Sequence, residues 1–95
     1  MWTKDSIKEK LKTDKRWVMR AIVAIYRFQT EHERSNEATL ENNGVGFNAV
    51  DAYILSSFAE QIINGRSLSD RQFSIASKRI IKYAGQLSKI ANKGI

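Results

Sequence analysis

The chain has 95 residues, a net charge of +6 and an apolar fraction of 42%. That is the size of one domain with one core between a few helices, too small to enclose a deep substrate pocket as well. It holds no cysteine, which excludes disulfides, thiolate nucleophiles and cysteine metal sites and removes any need for an oxidising compartment.

The charge is uneven. Residues 1–20 carry +4, residues 21–65 carry −4 and residues 66–95 carry +6. Basic surface of this kind favours polyanions or an acidic partner. The plainer reading is a solvated surface that keeps the protein soluble. The N-terminus, Met1 to Lys12, has no apolar run of the kind a signal peptide carries. The most apolar stretch, Trp17 to Phe28, contains Arg20 and Arg27 and is too short to span a bilayer. The expectation is a soluble protein in the cytoplasm, with no membrane partner.

There is no proline and no internal repeat. Four helices are expected, forming a small all-α bundle over residues 1–95. The first runs from about Asp5 to Lys12, with Ile7 and Leu11 four residues apart. The second runs from about Asp14 to Arg34, and its wide apolar arc, Trp17 to Phe28, suits a central helix packed on two sides. The third runs from about Ala49 to Asn64, with Val50, Ile54, Leu55, Phe58 and Ile62 at helical spacing. Gly65 offers a left-handed stop.

The fourth helix has the clearest start. Ser69 and Gln72 have the spacing of a capping box, and Leu68 and Phe73 that of a hydrophobic staple. Phe73, Ala76, Ile80, Ala84, Leu87 and Ala91 then follow steps of four or three, one stripe facing a core. Gly85 weakens this helix by about 1 kcal/mol relative to alanine without ending it. Trp17, Ile25, Phe58, Ile80 and Leu87 are the expected buried anchors.

Between the second and third helices lies a polar connection, Ser35 to Asn48, long enough at roughly fourteen residues to suggest a role of its own. Asn48 suits the N-cap of the third helix, and Asp51 places a carboxylate where the helix dipole favours one. Phe47 is expected to insert against the helices, with Asn42 to Gly46 forming a surface turn. Asn43 and Asn48 are the residues to test if this loop binds a ligand, with turn and capping as their simpler roles.

Few residues point to chemistry. Gly44-Val45-Gly46 lacks the preceding strand and following Lys-Ser/Thr of a phosphate loop. His32 sits between Glu31 and Glu33, but adjacent helical residues diverge and do not converge on a metal. No serine has a partnering histidine, so no enzyme activity, metal or cofactor is expected.

The C-terminal helix is more informative. At about 100° per residue, Arg71, Lys78, Lys82, Lys89 and Lys93 fall within a fan of about 60°, about 180° from the Phe73–Ile80–Leu87 stripe. Arg79 lies on the flank. A row of cations along a helix suits backbone phosphates. An ordinary solvated face usually mixes signs so that i, i+4 pairs form, and no acid lies on this stripe. No aromatic lies there to stack a base, so the pattern goes no further than phosphate contact.

Gln29-Thr30, Asn43-Gly44-Val45-Gly46-Phe47 and Asp51-Ala52 are followed by Leu68-Ser69-Asp70-Arg71-Gln72 and Lys82-Tyr83-Ala84-Gly85-Gln86-Leu87. Together they form a pattern that resembles small helical proteins of bacteriophages and mobile elements. The second half is similar to short helical segments near the ends of phage DNA-processing proteins. The resemblance covers roughly two thirds of the chain and carries no catalytic residue. It implies a phage or prophage setting, close to DNA metabolism or takeover of the host. The expected function is a small accessory protein that binds nucleic acid through its phosphates. The alternative is a protein–protein module that docks on an acidic host protein, such as an enzyme or defence factor, and modulates it.

Overall fold

Asp14 separates the first two helices and serves both. It ends α1 (Lys4–Thr13) in an extended conformation, with its N–H donating to the Lys10 carbonyl. Its carboxylate accepts the Arg16 backbone N–H at 2.9 Å and so opens α2 (Lys15–Ser35). The computed structural model describes residues 2–35 and 46–93, with the side chains of residues 30–35 and 93 outside that description. The remaining elements are α3 (Ala49–Ile63), α4 (Asp70–Ile80), a 3-10 turn (Ile81–Tyr83) and α5 (Ala84–Lys93). No strand occurs among the described residues, and the fold is the small all-α bundle that the periodicity implies.

Local chemistry explains the boundaries. Thr3 and Ser6 form a reciprocal capping box at the start of α1. Ser69 and Gln72 form another at α4: the Ser69 hydroxyl accepts the Gln72 N–H at 3.2 Å, and Gln72 Oε1 accepts the Ser69 N–H at 3.0 Å. Gln72 also exchanges two amide hydrogen bonds with Gln61, at 2.9 and 3.0 Å, tying the end of α3 to the start of α4. The end of α3 is a Schellman motif. The Arg66 N–H donates to the Gln61 carbonyl and the Gly65 N–H to that of Ile62, with Gly65 at φ +88°.

The core is built from one stripe per helix. Ile7 and Leu11 of α1, Ile22 and Ile25 of α2, Leu55 of α3 and Ile80 of α4 are all buried. Helix α2 packs against α1, α3 and α4, while α1 lies along α5. Trp2 extends this closure to the chain's two ends. Its backbone N–H donates to Asn92 Oδ1 at 2.8 Å, and Asn92 Nδ2 donates to its carbonyl at 2.7 Å. No helix among the described residues is long and apolar enough to cross a membrane.

Trp17, one of the expected anchors, is partly buried and packs against the core at its edge, in a lateral pair with Trp2, ring centroids 4.8 Å apart. One expectation on α3 needs correction. Val50 is 76% exposed. The buried stripe of α3 runs through Asp51, Leu55, Phe58 and Ala59, and Val50, one residue before Asp51, is turned about 100° away from it. The expected long C-terminal helix is present, running through α4, the 3-10 turn at Ile81–Tyr83 and α5 without a break.

That turn has geometric consequences. A 3-10 segment advances about 120° per residue against about 100° for an α-helix, so three residues add about 60° of rotation. Positions on α5 are therefore rotated relative to those on α4. Arg71, Lys78 and Lys89, within about 20° of one another on an ideal helix, spread over about 80°.

Candidate nucleic-acid interface and the Asp51 anchor

The beginning of α3 is held from three directions. Asn48 caps the helix, its Oδ1 accepting the Asp51 N–H at 3.0 Å. The capping role expected of Asn48 is thus its observed one. Phe47 is half-buried and packs edge-on against Tyr83, centroids 5.5 Å apart. Its N–H donates to Gln29 Oε1 of α2 at 2.8 Å. Gln86 of α5 grips Gly46 with both ends of its amide: Oε1 accepts the Gly46 N–H at 2.8 Å, and Nε2 donates to the Gly46 carbonyl at 3.1 Å. Gly46 needs its missing side chain here. Its φ is +145°, and a Cβ would stand 3.0 Å from Gln29 Oε1.

Asp51 lies at the centre of this junction. It is fully buried, on the same helical stripe as Leu55 and Phe58. Arg79 Nη1 donates to Oδ1 at 2.7 Å. Lys82 Nζ lies 2.8 Å from Oδ2, and the Tyr83 hydroxyl donates to the same oxygen at 2.7 Å. That hydroxyl in turn accepts the Asn48 N–H at 3.0 Å. Every buried side-chain polar atom among the described residues has a partner, as a buried carboxylate requires.

The titration of this group follows from its surroundings. Burial pushes the Asp51 carboxyl up, but the hydrogen bonds from Lys82, Tyr83 and Arg79 together outweigh it and hold the group at about 2. Burial, followed by the hydrogen bond to the Asp51 carboxylate, pushes the Tyr83 hydroxyl up to about 12. At neutral pH Asp51 is a carboxylate and Tyr83 a neutral donor.

This arrangement divides the predicted cation row. Arg71, Lys78 and Lys89 are exposed, and none is drawn into an ion pair with a described residue. Lys82 and Arg79 are instead turned onto Asp51, with 51% and 37% of their side chains still exposed. The stripe carries no acid of its own in sequence, but α3 supplies one. The Lys93 side chain and all of Asn43 lie outside the described residues, as do the side chains of His32 and its neighbouring glutamates.

Sequence reasoning missed the Asp51 junction and the two glutamines that support it. A signal for Asp51 was present, since it precedes Leu55 by four residues and Phe58 by seven, the spacing of a buried stripe. An aspartate at the third position of a helix has an ordinary explanation in the helix dipole, and that explanation hid the second one. Tyr53, 87% exposed on α3, is a further prominent surface aromatic. No family model, curated protein or solved structure matches this chain.

Proposed function

We propose that this protein is a small, non-catalytic accessory factor that binds nucleic acid through backbone phosphates, in a phage or mobile-element setting. The observation that carries the proposal is the exposure of Arg71, Lys78 and Lys89 along α4 and α5, none of them in an ion pair with a described carboxylate. These residues span roughly 28 Å along the helix axis, from 1.5 Å per α-helical and 2.0 Å per 3-10 residue. Such a length runs past several phosphates, which repeat every ~3.4 Å along one strand of a duplex.

The Asp51 junction narrows this reading. Lys82 and Arg79 serve to position α4 and α5 against α3, and their remaining charge is shared with Asp51. Among the described residues Arg71, Lys78 and Lys89 remain as the principal contacts, with Lys93 as a fourth from the predicted row. Neutralising three to four phosphates gives a log–log salt slope of roughly −2.7 to −3.6 on duplex DNA, against roughly −4.5 for a row of five. Binding is therefore modest, strongly weakened by salt and insensitive to base sequence.

A titration of labelled duplex and single-stranded DNA at low and moderate salt tests this. Wild type binds at low salt with the slope given above. The R71A/K78A/K89A variant loses that binding while keeping its fold. Absence of binding at low salt removes the proposal.

A further inference from the structure

A second surface has a different chemistry. Along the outer side of α2, Met19, Val23 and Ala24 join Ile62 of α3 to floor an open groove of about 480 Å³. Arg16, Arg20 and Arg27 stand along it, and among the described residues no acidic one lines it. Arg20 and Ala24 also border a second hollow of about 350 Å³, which reaches Trp17 and Leu87 on the other side of α2. The face thus has an aliphatic floor beside a run of arginines, and it is separate from the α4–α5 cations.

We infer that this groove is a docking site for an acidic amphipathic helix of a partner protein. The inference goes beyond the nucleic-acid reading and does not depend on it. Arg16 to Arg27 covers about 16 Å, or three helical turns, at 1.5 Å per residue. A ligand helix with apolar residues at i, i+3, i+4 and i+7 spreads them over about 10 Å, which fits within that strip. Acids flanking its apolar face then meet Arg16 and Arg20, whose guanidinium groups bind carboxylates in paired geometry.

Other occupants fit less well. The floor is aliphatic, with no ring among Met19, Val23, Ala24 and Ile62 on which a base would stack. A nucleic acid would leave that surface unused. A second copy related by a two-fold axis would bring the same arginine-lined face against itself, opposing like charges. An acidic helix satisfies both the floor and the rim.

The test uses a synthetic peptide with leucine at i, i+3, i+4 and i+7 and glutamate on its flanks. Two controls share its length: a scrambled order, and a version with lysine in place of glutamate. Binding to the full chain is followed by fluorescence anisotropy and by methyl chemical shifts of Met19, Val23 and Ile62. The glutamate helix is expected to bind and to shift those methyls, with both controls at least tenfold weaker. R16E/R20E, two changes at exposed positions, should weaken it at least tenfold with an unchanged thermal melt. Met19→Gln provides an independent variant that alters the floor without changing the charge and should weaken binding as well. R71A/K78A/K89A should bind the peptide as wild type does, which separates this site from the DNA surface. Equal binding of the scrambled peptide, shifts elsewhere on the chain, or displacement of the peptide by DNA with the same methyl shifts would overturn the inference.

Discussion

Tyr83 joins Asp51 to the start of the helix that carries it. Its hydroxyl donates to Asp51 Oδ2 at 2.7 Å and accepts the Asn48 N–H at 3.0 Å, so one oxygen serves both a buried carboxylate and a backbone group next to an N-cap. Tyr83→Phe removes both bonds and leaves the ring in place. An unsatisfied buried group costs about 1–3 kcal/mol, and the variant should lose stability in that range. Amide exchange should accelerate at Phe47 to Ala52 and stay unchanged in α1. Uniform acceleration across the molecule would show that Tyr83 serves general packing instead.

The pH dependence follows from Asp51. Its folded pKa is held at about 2 against an ordinary 3.8, so the unfolded chain takes up the proton first as pH falls. The stability it contributes is therefore complete above about pH 4 and is lost as pH falls from about 4 toward 2. Asp51→Asn should lower stability at neutral pH and flatten this part of the curve, as read by denaturant melts across the acid range. A variant with the same acid-limb slope as wild type would remove Asp51 as its source.

Two glycines should respond in opposite ways. Gly46→Ala forces a side chain onto a backbone at φ +145° and to 3.0 Å from Gln29 Oε1, and should cost on the order of 1–3 kcal/mol. Gly85 lies in α5, and a Cβ there meets nothing within 4 Å. Gly85→Ala should stabilise by about 0.4–1 kcal/mol, from reduced freedom of the unfolded chain and better helix propensity. Thermal melts of the two variants should move in opposite directions from wild type.

Much of the architecture is legible in the sequence, and the reasons are local. Ser69 with Gln72, Gly65 after an apolar run, and Ile7 with Leu11 are signals complete within a turn or two of chain. The parts that are not legible depend on distant partners. Gln86 grips a backbone group 40 residues away, and Gln29 holds one 18 residues away. A backbone partner leaves no side-chain pattern to find. The 3-10 turn at Ile81–Tyr83 has neither proline nor glycine to mark it. It coincides with the place where Lys82 and Tyr83 both reach Asp51. The cation row was drawn on an ideal helix, and both the turn and the Asp51 contacts redraw it.

Core packing provides a separate check on the α4 register. Ile80 is fully buried, on a helix that packs against α2 and α3. Ile80→Ala should cost about 2–5 kcal/mol, depending on how far the surrounding side chains relax into the space. The measurement is the midpoint of denaturant unfolding, with an unchanged slope required for a two-state comparison. An unchanged midpoint would mean that α4 is not seated where Ser69 and Gln72 start it.

The most direct measurement for the central claim is the salt dependence of DNA binding by wild type, R71A/K78A/K89A and Lys82→Ala. Wild type should bind any sequence at low salt, with a log–log slope of about −2.7 to −3.6. The triple variant should lose most of that binding with its thermal melt intact. Lys82→Ala should lose stability through Asp51 more than it loses affinity. A triple variant that binds DNA as wild type does, or a wild type that does not bind at low salt, would contradict the assignment of the α4–α5 face to nucleic acid.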